Sequence, residues 1–319
     1  MTLIPRERLI PLLACPRCGA ALEDAGTRLD CRGTERHSFA ELHGHPVLVD
    51  FERSVIDRDA LFAAAGASAV PRPVASRPRL RALLDAVTPD GGDRGVARRV
   101  LERLRAGGAR PRVLVIGGAT ASGELRALYV DRDIDTIGFD IYGSSLVQFI
   151  ADAHAIPLAD EIVDAVCIPA VLEHVLDPWR VVAETHRVLR PGGLVFSQMP
   201  FMQQVHEGAY DFVRLSERGQ RWLFRWFDEV ESGIVAGPGT TLAWSVDHFV
   251  RALTRSKTAG RIAGLSLSWL GWLEPLMNRA HALDGASCLW FVGRRAECPL
   301  EMRALLRGYR GAQRTGGVG

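Results

Sequence analysis

The sequence is almost devoid of lysine: Lys257 stands alone among 39 basic residues, and arginine supplies the rest. So one-sided a choice points to GC-rich coding DNA rather than to guanidinium chemistry. The net charge is only +2, so the chain as a whole is not an obvious polyanion binder. No stretch reaches the roughly 18 apolar residues of a membrane span. The nearest, Ile262 to Leu273, is too short and runs into Glu274 and Pro275. The first residues, MTLIPRERLIPLLACP, lack a basic-then-apolar leader with a small-residue cleavage site, so a cytoplasmic location is expected. A disulfide framework is also missing. Cys15, Cys18 and Cys31 cluster, whereas Cys167, Cys288 and Cys298 are scattered through a long chain. No internal repeat is found. What remains is an ordinary globular composition, 47% hydrophobic and 24% charged, in 319 residues. That suffices for one large domain and a small one.

Four regions follow from the pattern. Residues 1–52 hold the cysteine cluster and end on a short apolar strand, Pro46 to Val49. Residues 53–110 are Arg-, Ala- and Pro-rich. Here Val70 to Arg79 reads as an extended linker, and Leu80 to Val87 and Val96 to Leu104 as helices around Gly91-Gly92. Residues 111–298 alternate strand and helix patterns. Residues 299–319 read as a helix end and a Gly-rich, unstructured tail. In the alternating region, Arg112–Ile116, Thr136–Phe139, Val163–Ile168, Leu194–Gln198 and Leu289–Val292 are the predicted strands. A helix runs through Leu125 and Leu128, and another from Pro178 to Leu189 stops at Pro191-Gly192-Gly193. Strands separated by helices imply a doubly wound, mostly parallel α/β sheet with right-handed crossovers.

The strand Val113 to Ile116 runs straight into Gly117-Gly118-Ala119-Thr120-Ala121-Ser122-Gly123. Small residues let a ligand approach the backbone, and the helix start behind them offers free N–H groups. Alone, the pattern is equally a tight turn with no ligand. Asp140, closing the next strand, is placed to accept hydrogen bonds from ribose hydroxyls, though a strand-end aspartate is common. The ordered set that follows is more specific: Ala151-Asp152-Ala153-His154-Ala155-Ile156-Pro157-Leu158, Asp164 to Ile168, Val171-Leu172-Glu173-His174-Val175-Leu176-Asp177-Pro178, and Arg187-Val188-Leu189-Arg190-Pro191-Gly192-Gly193.

From Arg112 to Gln198 this set closely resembles the class I S-adenosylmethionine-dependent methyltransferases, particularly those that methylate small metabolites and glycans. The resemblance implies a seven-stranded, Rossmann-like sheet. It also implies a cofactor site of Gly117, Gly118, Ala119, Asp140 and Ile141 at the ribose side, Asp152 and Ala153 at the adenine, and Pro169 at the end of the third apolar strand. The pattern departs from the family at Val115, where an acidic residue is usual, and at Ala119 and Ala121, where glycines are usual.

Beyond the strand at Leu194–Gln198 come Pro200-Phe201, His206, Tyr210-Asp211-Phe212 and Arg214. They resemble a segment of methyltransferases from polysaccharide and secondary-metabolite clusters, and sit where a loop would face the acceptor. His206 and Asp211 are the candidate catalytic pair for a hydroxyl acceptor. The alternative is a plain loop histidine beside an Asp211–Arg214 ion pair. His174 is placed beside the cofactor. Trp222, Phe224, Trp226 and Phe227 read as helix core sooner than a sugar platform, Leu267 to Leu276 with Trp269 and Trp272 as a buried helix, with an oligomer face or a lid as the alternative, and Gly237-Pro238-Gly239 as a turn.

Cys15-Pro16-Arg17-Cys18-Gly19, Cys31 and His37 form a Cys-x2-Cys-x12-Cys-x5-His series suited to a structural zinc ion. His43 and His45 are rivals for the fourth position. The series is similar to zinc-ribbon modules that accompany methyltransferases, including those acting on rRNA guanine, but a cysteine expected near Thr34 is absent.

The expected activity is transfer of a methyl group from S-adenosylmethionine to a small molecule or glycan, at oxygen. A competing reading is an RNA base methyltransferase. From Arg72 to Arg112 eleven Arg face Asp85, Asp90, Asp93 and Glu102, a surplus of seven positive charges. No aromatic residue is interleaved there, and the Asn/Asp-Pro-Pro-Tyr/Phe motif is absent. A third reading is a methyltransferase-like subunit that binds a homodimer mate or partner protein through the zinc module.

Overall fold

The computed structural model describes residues 3–67, 95–105, 110–119 and 126–313. The linker from Val70, the Leu80 to Val87 helix with Gly91-Gly92, Ala121 and residues 314–319 lie outside these.

Among the described residues eleven strands form one sheet. They are β1 (Leu22–Asp24), β2 (Arg28–Cys31), β3 (Ser38–Leu42), β4 (His45–Leu48), β5 (Arg112–Ile116), β6 (Asp135–Asp140), β7 (Phe149–Ala151), β8 (Val163–Pro169), β9 (Leu189–Pro200), β10 (Phe227–Ala236) and β11 (Cys288–Arg295). Their spatial order is β1-β2-β3-β4-β7-β6-β5-β8-β9-β11-β10. From β4 through β9 the pairing is parallel, while β11 runs antiparallel between β9 and β10. The expected doubly wound sheet is therefore present. The strand order reverses between β5 and β8, the place where open α/β sheets bind ligands at their carboxyl ends.

The apolar runs explain the parallel centre. Leu114 and Ile116 pack in one core cluster and Val113 and Val115 in another, so β5 is buried on both faces. The second face is covered by the helix Val96–Arg105 through Val96, Val100 and Leu101. The first cluster contains Ile4, Leu9, Leu13, Leu29, Phe39 and Leu48 of the N-terminal segment together with Ile137, Phe139 and Phe149. That segment extends the main sheet: β4 pairs in parallel with β7, Val47 opposite Ile150 and Leu48 opposite Ala151. The Ile4 amide donates to Thr136 O at 3.0 Å, and Gln148 Nε2 donates to Ile4 O at 2.6 Å.

Several expectations are corrected. The helix Pro178–Val188 passes directly into β9, and Pro191-Gly192-Gly193 lies inside that strand as a bulge: Val163 pairs with Leu189 but Ala165 with Leu194. Gly192 has φ +75°, which glycine adopts without strain. The aromatic series is not one helix. Trp222 ends the helix Glu217–Leu223, Phe224 is a buried turn residue stacked on Phe291, and Phe227 begins β10. Gly237-Pro238-Gly239 opens a long helix, Pro238–Thr254, with proline in its first turn. Leu267 to Leu276 is a 3-10 segment on the surface, with Trp269, Trp272 and Leu276 exposed. With the helix Lys257–Ser266 it forms an insertion between β10 and β11. The end of the chain is tied down further than expected: Tyr309 donates to Asp284 at 2.6 Å and the Ala312 amide at 2.9 Å. Among the described residues no helix is long and apolar enough to cross a membrane.

Candidate active site at the carboxyl edge

The turn after β5 is closed by its own neighbours. The Gly117 and Gly118 amides donate to Phe139 O at 3.1 and 3.0 Å, and the Ala119 amide donates to Asp140 Oδ2 at 3.0 Å. The Ile141 amide donates to Asp140 Oδ1 at 2.7 Å. These N–H groups therefore hold the loop to β6 instead of pointing at a ligand, and residues 120–125 lie outside the described residues. Gly117 has φ +75°, and a Cβ there would stand 2.4 Å from Val171 Cγ2. A Cβ on Gly118 would stand 2.5 Å from the Tyr129 hydroxyl. Both positions are thus confined to glycine, by backbone conformation at one and by close approach at both. Gly117, Gly118, Ala119, Asp140 and Ile141 form one continuous rim. Val171, just past Pro169 at the end of β8, leans on it.

Asp152 is buried and fully engaged. Its Oδ1 accepts from the His154 amide at 2.9 Å and faces His154 Nδ1 at 2.6 Å, while Oδ2 accepts from the Ser54 hydroxyl. Burial opposes ionisation of this carboxyl, but the hydrogen bonds from His154 and Ser54 outweigh it and hold the group below the ordinary aspartate range. Ser54 belongs to the segment that follows β4, so the N-terminal part of the chain reaches the side of the site where Asp152 and Ala153 lie. This contact spans 98 residues and has no local sequence pattern that would announce it. A carboxyl depressed by folding contributes stability that is present above its unfolded value, near 4, and is lost as pH falls through its folded value. Asp152→Asn should therefore cost roughly 1.5–3 kcal/mol at pH 7 and flatten the acid side of the melting-temperature profile. An unchanged profile between pH 3 and 7 would show that the carboxylate holds nothing.

The loop after β9 lies over the same edge. Asp211 is clamped: both oxygens pair with Arg214, and Oδ2 accepts the His206 amide at 2.9 Å. Burial acts against the charge, but the Arg214 pair prevails and holds the carboxyl at about 2. Arg214 also donates to Gln203 O at 2.9 Å and Gln204 O at 3.3 Å, so it stitches the loop. The Asp211–Arg214 pair considered from the sequence is thus present, and Asp211 is a fixed anion. His206 stays partly exposed, its ring edge-on to His174 with centroids 5.0 Å apart. Glu173 has no role of its own in the sequence pattern. It is 1% exposed, one turn past β8 and next to His174. Its position directly after an apolar strand was the available signal.

In the N-terminal segment Cys15, Cys18, Cys31 and His37 each bring one ligand atom within 4.8 Å of all the others. Cys18 and Cys31 sulfurs are 3.4 Å apart, and Cys15 Sγ lies 3.4 Å from His37 Nδ1. A tetrahedral ion with bonds of about 2.3 Å spaces sulfurs by roughly 3.8 Å, so the cluster is of the right size. His37 occupies the fourth corner. His45 lies in β4 with its ring against Gly143, and neither it nor His43 belongs to the cluster.

The described part of the Arg-rich stretch is spent on ion pairs. Arg98 pairs with Glu102, Arg99 and Arg103 with Glu231, Arg105 with Asp131, and Arg110 with Asp135. Arg112 donates to Ile162 O at 2.6 Å.

Residues 121–197 match the family model for a methyltransferase domain. Over 95 residues the chain is 39% identical to an uncharacterised methyltransferase of Mycobacterium tuberculosis, covering 27% of this chain and 38% of that one. Over 78 residues it is 41% identical to the ubiquinone/menaquinone biosynthesis C-methyltransferase of Acidiphilium cryptum, covering 23% and 31%. The match thus spans less than two fifths of the length of either relative. A solved structure of the Haemonchus contortus phosphoethanolamine N-methyltransferase 2 with S-adenosyl-L-methionine overlays at TM-score 0.43 and 14% identity, covering 82% of this chain and 62% of that one. The family match falls on β8, β9 and the strands beside the glycine turn. Residues 121–197, from β6 into β9, thus carry a likeness to the methyltransferase domain family.

Proposed function

We propose that this protein transfers a methyl group from S-adenosylmethionine to a hydroxyl of a small molecule or glycan. The observation that carries the reading is the meeting, at one carboxyl edge, of the Gly117–Asp140 rim and the His206 loop, with Val171 joining the two sides. Bound S-adenosylmethionine supplies an electrophilic methyl group on a sulfonium. Gly117, Gly118 and Ala119 present a surface without bulk to it, Asp140 and Ile141 meet the ribose, Asp152 and Ala153 border the adenine, and Pro169 closes the floor. Asp152 does so as a charge already held by His154 and Ser54, so it shapes the wall. On the acceptor side His206 meets the hydroxyl, and Asp211 with Arg214 fixes the loop that carries it. The domain limits read from the sequence, 1–52, 53–110, 111–298 and 299–319, are kept as functional units, with zinc held by Cys15, Cys18, Cys31 and His37 as a structural staple.

The short likeness to a quinone C-methyltransferase supports a second reading, a carbon acceptor on a lipophilic ring. The exposed Trp269, Trp272 and Leu276 offer an apolar surface of the kind such an acceptor would need. Calorimetric titration with S-adenosylhomocysteine tests the core of the proposal, and micromolar affinity is expected. Single turnovers with a panel of sugars, phenols and quinols then separate oxygen from carbon. His206→Ala should retain the cofactor and lower kcat by roughly 100-fold or more. A folded protein with no affinity for S-adenosylhomocysteine would overturn the reading.

A further inference from the structure

A second cluster of metal-ligating side chains lies on the acceptor side of the edge. β8 ends at Pro169, and Ala170 takes φ +48°, a costly backbone for alanine that turns the chain into the 3-10 segment Leu172–His174. This turn sends Glu173 inward and places His174 beside it. Glu173, His174 and His206 each offer one ligand atom, all within 4.8 Å of one another. His174 Nε2 is 3.8 Å from Glu173 Oε1.

Two features mark the cluster as more than a chance gathering. Glu173 is buried to 1% exposure, yet its Oε2 has no hydrogen-bond partner among the described residues. An orphaned buried carboxylate oxygen is expensive, and burial pushes this carboxyl up to about 8. Arg214, the cation of this region, is already committed to Asp211. The second feature is how the two imidazoles are held. His174 Nδ1 lies 2.6 Å from Tyr210 O. A carbonyl only accepts, so Nδ1 carries the proton and Nε2 presents its lone pair. His206 Nδ1 is 3.4 Å from Gln204 O, with Asp211 Oδ2 and Arg214 Nη2 each at 3.5 Å, and Asp211 also holds the His206 amide. Backbone carbonyls behind both histidines are supports of the kind that orient metal-bound imidazoles.

We infer that Glu173, His174 and His206 bind a first-row divalent transition-metal cation, whose open side faces the acceptor hydroxyl. Two imidazoles and one carboxylate suit such an ion better than calcium or magnesium, which prefer all-oxygen shells, and three protein ligands leave coordination positions for the acceptor. The cation satisfies the orphan oxygen and lowers the pKa of the hydroxyl it meets. The hydroxyl proton leaves to solvent. The oxygen forms a bond to the methyl carbon, the carbon–sulfur bond breaks, and its electron pair stays on sulfur as neutral S-adenosylhomocysteine. In this assignment His206 acts by holding the cation and not by taking the proton. The role in transfer rests on the proposed O-methylation, whereas the binding of the ion does not.

The test uses the full-length protein with zinc left in the cysteine cluster, titrated with Co2+ and no cofactor. The visible Co2+ spectrum separates nitrogen and oxygen donors from thiolates. One Co2+ per chain with a nitrogen/oxygen spectrum is expected. Glu173→Gln and His206→Ala should each weaken it by roughly 100-fold, and Cys298→Ser, an exposed cysteine outside both clusters, should leave that band in place. Melting curves confirm that the variants are folded, and His206 sits on a partly exposed loop where alanine is easily accepted. Absence of such a band at millimolar Co2+, or a band equally strong in Glu173→Gln and His206→Ala, would overturn the inference. S-adenosylhomocysteine binding, measured separately, reports on the methyltransferase reading, so the two cannot fail unnoticed together.

Discussion

Stripping the zinc proposed for the cysteine cluster, or replacing Cys31 by serine, is expected to lower the melting temperature of the whole chain and to weaken the proposed S-adenosylhomocysteine binding with it. A zinc module that merely hung from the domain would unfold alone. Here Leu29 and Phe39 share a core cluster with Leu114, Ile137 and Phe149, and β4 hydrogen-bonds to β7. Ser54, six residues past β4, holds the carboxylate of Asp152. Structural zinc contributes about 10–16 kcal/mol to zinc-finger peptides. Only part of that is expected in a chain whose domain has its own core. Several kcal/mol in a chain of this size still corresponds to roughly 10 °C or more. Differential scanning with and without chelator, paired with calorimetry, reads both effects. If chelation removes one zinc per chain and leaves melting and affinity unchanged, the coupling does not exist.

Gly117→Ala should abolish cofactor binding at concentrations roughly 100-fold above the wild-type Kd, about 2.7 kcal/mol. Two costs act together. Alanine at φ +75° is strained, by about 1 kcal/mol or more. Its methyl group would also stand 2.4 Å from Val171 Cγ2, a contact that cannot survive. Val171 directly precedes Leu172, Glu173 and His174, so displacing it also disturbs the acceptor side. Calorimetry against S-adenosylhomocysteine, with a melting curve for the fold, decides it. Near-native affinity would mean that the turn is a packing feature and the cofactor binds elsewhere.

The parts of this fold that could be read in advance are those whose pattern is local. β5, β8 and the middle of β9 are apolar on both faces, so their strands are visible as uninterrupted runs. β10 hid itself: Phe227-Asp228-Glu229-Val230-Glu231 carries acids because it is an edge strand, and its aromatic start read as helix. β7 is three residues long and has no periodicity to show. Leu267 to Leu276 looked buried because apolar residues usually are, yet Trp269 and Trp272 face outward. At the site, the small-residue turn and Asp140 were legible because their chemistry lies in adjacent residues. Glu173 was passed over because what distinguishes it, an unpaired oxygen and two histidines brought from 1 and 33 positions away, exists only after folding. Asp211 was noticed for its type, but only the bidentate contact with Arg214 shows that its charge is already committed.

The pairing of β4 with β7 also settles what the sheet shows to other molecules. Without β4, the amides and carbonyls of Phe149–Ala151 would form an open parallel border flanked by Ile150 and Phe139, the kind of surface that recruits strands from other chains. With it, the border moves out to β1, three residues long and carrying Glu23 and Asp24, while the opposite border is β10 with Asp228, Glu229 and Glu231. Both ends of the sheet are thus finished in charged side chains, Asp24 and Glu23 paired with Arg6 and Arg32 and Glu231 with Arg99 and Arg103, and charged edges discourage stacking between molecules. The N-terminal segment therefore acts as a selvage for the sheet, and it cannot be cut away at residue 111 without leaving an edge that invites self-association.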